Sequence, residues 1–311
     1  MLPAPRGCFG YSPLPNHQAA EHITLENHAL RVLFSTCGGH IEEIFHKTTG
    51  RHHAWRYSDT IWPRRTSVCF PICGVLPDHR YRYEGADYGM QPHGFVREQL
   101  FSVERQSAAS VTLLLTDSPA TRGSFPFRFE LRLRYTLEEA CLSVEYEVFN
   151  PSENAPLLFS IGSHYAYAMP VAQTEQPEDY RLRLHGDFDA VRIQVADGLQ
   201  AGPGECIKIG PDLPVPHLID SRSIILSCDP SRESRVTLLN AVTQSGTQVD
   251  FIGFEHCVLW APYAGAPFVC IEPWAGMTGQ RGDDPVLAQK AGIQALAPLS
   301  RKNYLIRIRP L

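Results

Sequence analysis

Along most of this chain, apolar and polar residues alternate at every second position, the period of a strand with one face in a core and the other in water. The alternation runs unbroken over residues 127–135 and resumes over 142–149 after a short turn, so the two segments are predicted to form an antiparallel hairpin. Arg132 and Arg134 on one arm face a strand carrying Glu145 and Glu147. Cross-strand pairs of opposite charge add roughly 0.2–1 kcal/mol each. Further strands are expected at 23–34, 40–46, 81–83, 157–167, 180–185, 191–195, 223–227, 236–239, 249–260, 268–272 and 304–309, with Gly- and Pro-rich turns between them. Helical periodicity is confined to a short stretch at 286–296.

Many strands without βαβ alternation predict an all-β fold, a large antiparallel two-sheet β-sandwich with few short helices. No break in strand rhythm, charge or proline density divides the chain, so a single domain over 1–311 is expected, with 1–20 as an irregular N-terminal segment rich in proline.

Composition narrows the function by exclusion. The chain is 43% hydrophobic and 20% charged with a net charge of −5, and it has no basic run, so nucleic acid is not an expected partner. No apolar stretch has the length of a membrane span and no apolar segment opens the chain, which leads to the expectation of a cytoplasmic protein with no membrane partner. The nine cysteines form no paired framework, and several lie inside apolar strand-like runs, where a thiol serves as a small hydrophobe. Cys69 and Cys73 are the one close pair, with no second pair or histidine at zinc spacing, so all nine are expected to be reduced and structural and no metal is expected.

Three polar residues stand out against apolar surroundings. Glu272 follows the run Phe268-Val269-Cys270-Ile271 and precedes Pro273 and Trp274, which puts a carboxylate at the mouth of a buried strand beside an aromatic face. A carboxylate there is costly unless it has partners or a task. His93 sits in Gln91-Pro92-His93-Gly94-Phe95-Val96-Arg97, with a glycine that permits close backbone approach. His164 interrupts the small and apolar segment Phe159-Ser160-Ile161-Gly162-Ser163-His164-Tyr165-Ala166-Tyr167. Each alone also fits a plain structural role, as a salt-bridged strand end, a loop histidine or a hydrogen-bonded core histidine. An acid–base pair beside an aromatic platform suits sugar chemistry.

Taken in order, Trp62 and Arg64 followed by Cys69-Phe70-Pro71-Ile72-Cys73-Gly74-Val75-Leu76, then Pro92 to Arg97, Gly162 to Tyr167, and Cys270 to Trp274, resemble the motifs of the aldose 1-epimerase (galactose mutarotase-like) family, in its LacX-type branch. The resemblance extends from about Ile23 onwards. It implies cofactor-free opening of a sugar hemiacetal. Glu272 would be the base at the C1 hydroxyl, His164 the acid at the ring oxygen, and His93 a hydrogen-bond donor. Substrate would be held by Arg97, Trp274, Tyr165, Asp220 and Arg64. A monomer or homodimer acting on a small-molecule sugar is the expected state.

The substrate-reading positions depart from the family pattern. Val75 stands where the family has an arginine, Asp220 falls two residues before the position of the family's sugar-binding aspartate, where Arg222 aligns, and tyrosines flank His164. These changes predict ring opening on an altered sugar. They also fit a non-catalytic carbohydrate-binding or regulatory protein on the same fold, or a sugar-phosphate mutarotase using Arg64, Arg65 and Arg97.

Overall fold

The structure, a computed structural model, describes residues 20–56, 58, 60–62, 66–186, 188–196, 198–202, 204–210 and 212–311. Two large antiparallel sheets dominate it. The first has nine strands in the order Asp212–Pro214, Tyr180–His185, Ser234–Asn240, Gly246–Ile252, Arg301–Pro310, Cys141–Phe149, Glu130–Glu138, Ser110–Thr116 and Ser102–Gln106. The second has eight, running from Glu205–Cys206 through Asp189–Ile193, Ser223–Ser227, His256–Trp260, Phe268–Ala275 and Ile161–His164 to Ser67–Cys69, with Ala166–Ala168 also paired to Phe268–Ala275. A four-stranded sheet of His22–Glu26, Leu30–Ser35, Ile41–His46 and Arg51–His52 adjoins them. The two-sheet β-sandwich read from the alternation is the observed fold.

The expected hairpin forms over Glu130–Glu138 and Cys141–Phe149, with one face charged. Arg132 lies opposite Glu147 and Arg134 opposite Glu145. Arg132 also reaches across the intervening strand Ser110–Thr116 to Glu104, and its guanidinium is held above its ordinary pKa chiefly by that hydrogen bond. On the other face Leu131, Leu133, Tyr135, Val144, Tyr146 and Val148 are fully buried in one apolar cluster with Val269 and Ile271 of the second sheet. Removing one such side chain from water contributes roughly 1.5–3 kcal/mol.

Several expected elements differ. The strand expected at 157–167 is three short ones, Leu157–Phe159, Ile161–His164 and Ala166–Ala168. The single strand at 23–34 is a hairpin, because Asn27 Oδ1 accepts from the backbone N–H groups of Ala29 and Leu30 and turns the chain. The strand at 249–260 is split at Gly253, whose φ of +96° a residue with a Cβ rarely adopts. Of the short turn or two of helix expected within 286–296, one 3₁₀ turn forms, Leu287–Gln289, and a short strand follows, Gln294–Leu296. Apart from its last residue, the N-terminal segment expected to be irregular lies outside the described residues.

The strand Phe268–Ala275 positions everything that follows. Its odd-numbered residues Val269, Ile271 and Ala275 join the inter-sheet core. The even-numbered Phe268, Cys270, Glu272 and Trp274 therefore face away from the sandwich interior, and all are nonetheless buried. What covers them is the candidate site.

Candidate functional site

Cross-strand register brings the acid–base candidates together. Gly162 pairs with Trp274 and Ala166 with Cys270, so the residue midway, His164, stands opposite Glu272. The Ile271 N–H donates to the Tyr165 carbonyl at 3.1 Å, which keeps the strands joined at that point. Facing residues in such a pair have Cβ atoms about 5 Å apart, and here His164 Nδ1 lies 3.4 Å from Glu272 Oε1. Glu272 is 2% exposed. Burial pushes its carboxyl well above the ordinary carboxylate range. An imidazolium at His164 would offset that burial, so the pair is suited to hold and exchange one proton.

His93 reaches the same face from a tight loop. Its φ is +61° and that of Gly94 is +77°, and a side chain at Gly94 would strike the Phe70 carbonyl at 2.0 Å. A non-glycine residue in that region costs of order 1–3 kcal/mol. The loop is held there by Phe70 N–H on the His93 carbonyl (3.1 Å) and His93 N–H on the Gly74 carbonyl (2.7 Å). The Gly74 N–H donates to His93 Nδ1 at 3.2 Å, and Cys69 Sγ lies 3.3 Å from the same nitrogen. Because burial pushes the Cys69 thiol up, it stays protonated and can donate there as well. A ring nitrogen that accepts an N–H carries no proton in the neutral imidazole, so neutral His93 is the Nε2–H tautomer, a donor.

Aromatic rings enclose these groups. The Trp62 ring is 5.2 Å from His164 at 30°, Trp260 is 5.8 Å from it at 84°, and His93 is 5.0 Å from it at 73°. Trp274 lies 5.7 Å from His93 and donates its Nε1–H to the Ser163 carbonyl at 3.0 Å. Gly162 makes room for that indole, since a Cβ there would lie 2.4 Å from Trp274 Cδ1.

The structure thus gathers Glu272, His164, His93 and Trp274. The other candidates are placed differently. Tyr165 has the opposite parity to His164, so it points into the inter-sheet core, where it is 1% exposed and accepts a hydrogen bond from the Tyr146 hydroxyl at 2.7 Å. It is a core tyrosine and not part of the pocket wall. Asp220 lies in a turn where its carboxylate is taken by Arg222, with an Nη2–Oδ2 distance of 2.6 Å. That guanidinium, by its hydrogen bonds, holds the Asp220 carboxyl below its usual range. Arg97 stands on the His93 side, near Cys69, with its Nε 4.0 Å from Glu98. Arg64, with Arg65, lies outside the described residues. Val75 packs against Gly198 and donates its N–H to Thr278 Oγ1 at 3.0 Å. Trp62 and Cys69 were not singled out as site residues from the sequence; the signal available for both was the aperiodic, proline-punctuated run that contains them.

A two-sheet antiparallel sandwich of this shape is shared with solved galactose mutarotase-like structures. One is a galactose mutarotase related enzyme from Lactobacillus acidophilus, 26% identical, with a TM-score of 0.86 over 94% of this chain and 97% of the other. Another, a galactose mutarotase-like protein from Lactobacillus casei, is 25% identical with a TM-score of 0.85, covering 94% of this chain and 100% of that one. In sequence, the plasmid-encoded protein LacX of Lactococcus lactis is 28% identical over an alignment 303 positions long that covers 92% of this chain and 99% of LacX. The family model for aldose 1-epimerase matches residues 21–285, and the chain belongs to that family. Among the described residues no helix is long and apolar enough to cross a membrane.

Proposed function

We propose that this protein is an isomerase that interconverts the anomers of an aldose by acid–base ring opening. The observation that carries the reading is the cross-strand pair His164–Glu272, with 3.4 Å between Nδ1 and Oε1, beside the His93 donor. The two oxygens of a hemiacetal share one carbon, so a base and an acid that address them must be neighbours. Glu272 takes the proton from the C1 hydroxyl while His164, as imidazolium, protonates the ring oxygen. The C1–O5 bond breaks, its electron pair leaves on O5, and the C1–O1 bond becomes the carbonyl of the open-chain aldehyde. Rotation about C1–C2 and closure on the other face give the other anomer, with the proton transfers reversed. No oxidation state changes, and every proton is supplied by the pair. Each positioned transfer is worth about 10²–10⁴ in rate.

His93, held in the Nε2–H form, donates to the ring oxygen or a neighbouring hydroxyl, and the Trp260 and Trp274 faces suit the apolar side of a pyranose. The Asp220–Arg222 closure and the valine at position 75 favour a second reading, sugar binding without turnover, because the family's polar contacts are missing there. Calorimetry against an aldose panel combined with NMR exchange between anomers separates the two. Binding accompanied by accelerated exchange supports the enzyme, and binding with exchange at the buffer rate supports the second reading.

A further inference from the structure

Two residues before Glu272, and on the same face of the same strand, stands a thiol that the proton chemistry does not use. Cys270 is fully buried, and its register places it opposite Trp260 on one side and Ala166 on the other. One donor atom from each of His164, Cys270 and Glu272 lies within 4.8 Å of the others. We infer that these three side chains form a binding site for a thiophilic divalent cation, Zn²⁺ or Cd²⁺.

Bond lengths of about 2.0–2.3 Å to N, O and S around a tetrahedral ion imply donor separations of roughly 3.3–3.7 Å. The 3.4 Å between His164 Nδ1 and Glu272 Oε1 is already such an edge. Cys270 need only close by about 1 Å, within reach of small side-chain rotations. A second observation points the same way. Glu272 Oε2 is buried, and the hydrogen-bonding neighbours of its carboxyl are Trp274 and the Cys270 thiol, itself one of the proposed ligands. A desolvated carboxylate oxygen is costly unless hydrogen-bonded, paired or coordinating an ion. One carboxylate, one thiolate and one neutral imidazole balance a divalent charge, so the cation would leave no net charge in this buried cluster.

The donor set also selects the ion. A thiolate and an imidazole favour Zn²⁺ and Cd²⁺ over Mg²⁺ or Ca²⁺, which take all-oxygen shells. Three protein ligands leave a fourth position open, unlike the closed four-ligand shell of a structural zinc site. Burial keeps Cys270 as a thiol without metal. On binding, the S–H bond breaks and the proton that His164 and Glu272 share also leaves, both protons going to solvent, while the sulfur pair forms the metal–sulfur bond.

Coordination occupies the same carboxylate and imidazole that the proposed ring opening uses. That consequence rests on the proposed function, whereas cation binding itself does not. Metal and turnover therefore exclude each other, and the cation acts as an inhibitor that a chelator lifts.

The test uses the full chain, stripped with a chelator and kept reduced. Titration with Cd²⁺ is followed by thiolate-to-cadmium charge-transfer absorption in the wild type, in Cys270→Ser and in Cys69→Ser. One equivalent is expected to give the band in the wild type and in Cys69→Ser. In Cys270→Ser the band should be lost and affinity should fall at least about tenfold. An unchanged band in Cys270→Ser, or no binding to the wild type, would overturn the inference. Cadmium NMR of the unsubstituted protein keeps the test open if a variant misfolds: a one-thiolate shift supports the site, and an all-oxygen or two-thiolate shift refutes it. With Zn²⁺ replacing Cd²⁺, anomer exchange should fall and return with chelator. If no exchange is found under any condition, the ring-opening reading fails while the cadmium signals still decide the site.

Discussion

Adding one methyl group at Gly162 tests the packing that positions the site. A Cβ there would sit 2.4 Å from Trp274 Cδ1 and 2.9 Å from the Pro273 carbonyl oxygen. Ordinary contact distances are about 3.5–4.0 Å, so the indole must retreat by roughly 1 Å. Trp274 is buried and its Nε1–H donates to the Ser163 carbonyl, so retreat strains the packing and lengthens that bond. Overpacking costs about 1–3 kcal/mol and a weakened hydrogen bond about 0.5–1.5. Against this, Gly→Ala at a position without strain stabilises by about 0.4–1 kcal/mol through the unfolded chain. The net expectation for Gly162→Ala is a destabilisation of about 1–4 kcal/mol. Urea unfolding followed by circular dichroism reads it as a lower midpoint at unchanged slope. A variant as stable as the wild type, or more stable, would refute the claim that Gly162 is there to admit the indole.

Other predictions follow from the same geometry. Tyr165→Phe removes the acceptor of the Tyr146 hydroxyl in the core, so stability should drop by about 1–3 kcal/mol while anomer exchange, if present, keeps its rate; a large loss of rate at normal stability would return Tyr165 to the pocket. His53 is fully buried, hydrogen-bonded to Thr247 Oγ1 at 3.0 Å, and burial lowers its pKa from 6.5 to about 3. The native state keeps it neutral while the unfolded chain protonates below about pH 6.5, so its contribution is complete above that pH and is lost on acidification towards pH 3. From pH 8 to pH 5 the loss is about 2 kcal/mol, and His53→Gln should remove that part of the slope; parallel stability curves for the two proteins would contradict it.

Much of the fold was legible because the alternation is local. The hairpin that pairs Arg132 with Glu147 needs only one turn of known length, and its register follows. What local pattern could not give was parity between strands far apart in sequence. His164 and Glu272 share a face, and Tyr165 does not, because Gly162 pairs with Trp274 across more than a hundred residues. Asp220 was within two residues of a binding position by pattern, yet its closure on Arg222 depends on a turn that periodicity does not describe. Cys69 and Cys270 are read from the sequence as reduced, structural thiols. Their burial agrees with that reading; the nearness of Cys270 to Glu272 follows from the two-residue period of one strand, whereas the approach of Cys69 to His93 comes from packing.

Glu272 and His164 are proposed to act together on one C–O bond. Magnetisation-exchange NMR on a panel of aldoses and sugar phosphates, with the wild type, Glu272→Gln and His164→Asn, tests it most directly. Accelerated anomer exchange is expected for at least one sugar, falling about 10²–10⁴-fold in each variant with native circular dichroism. Exchange at the buffer rate across the whole panel, or full activity in either variant, would contradict it.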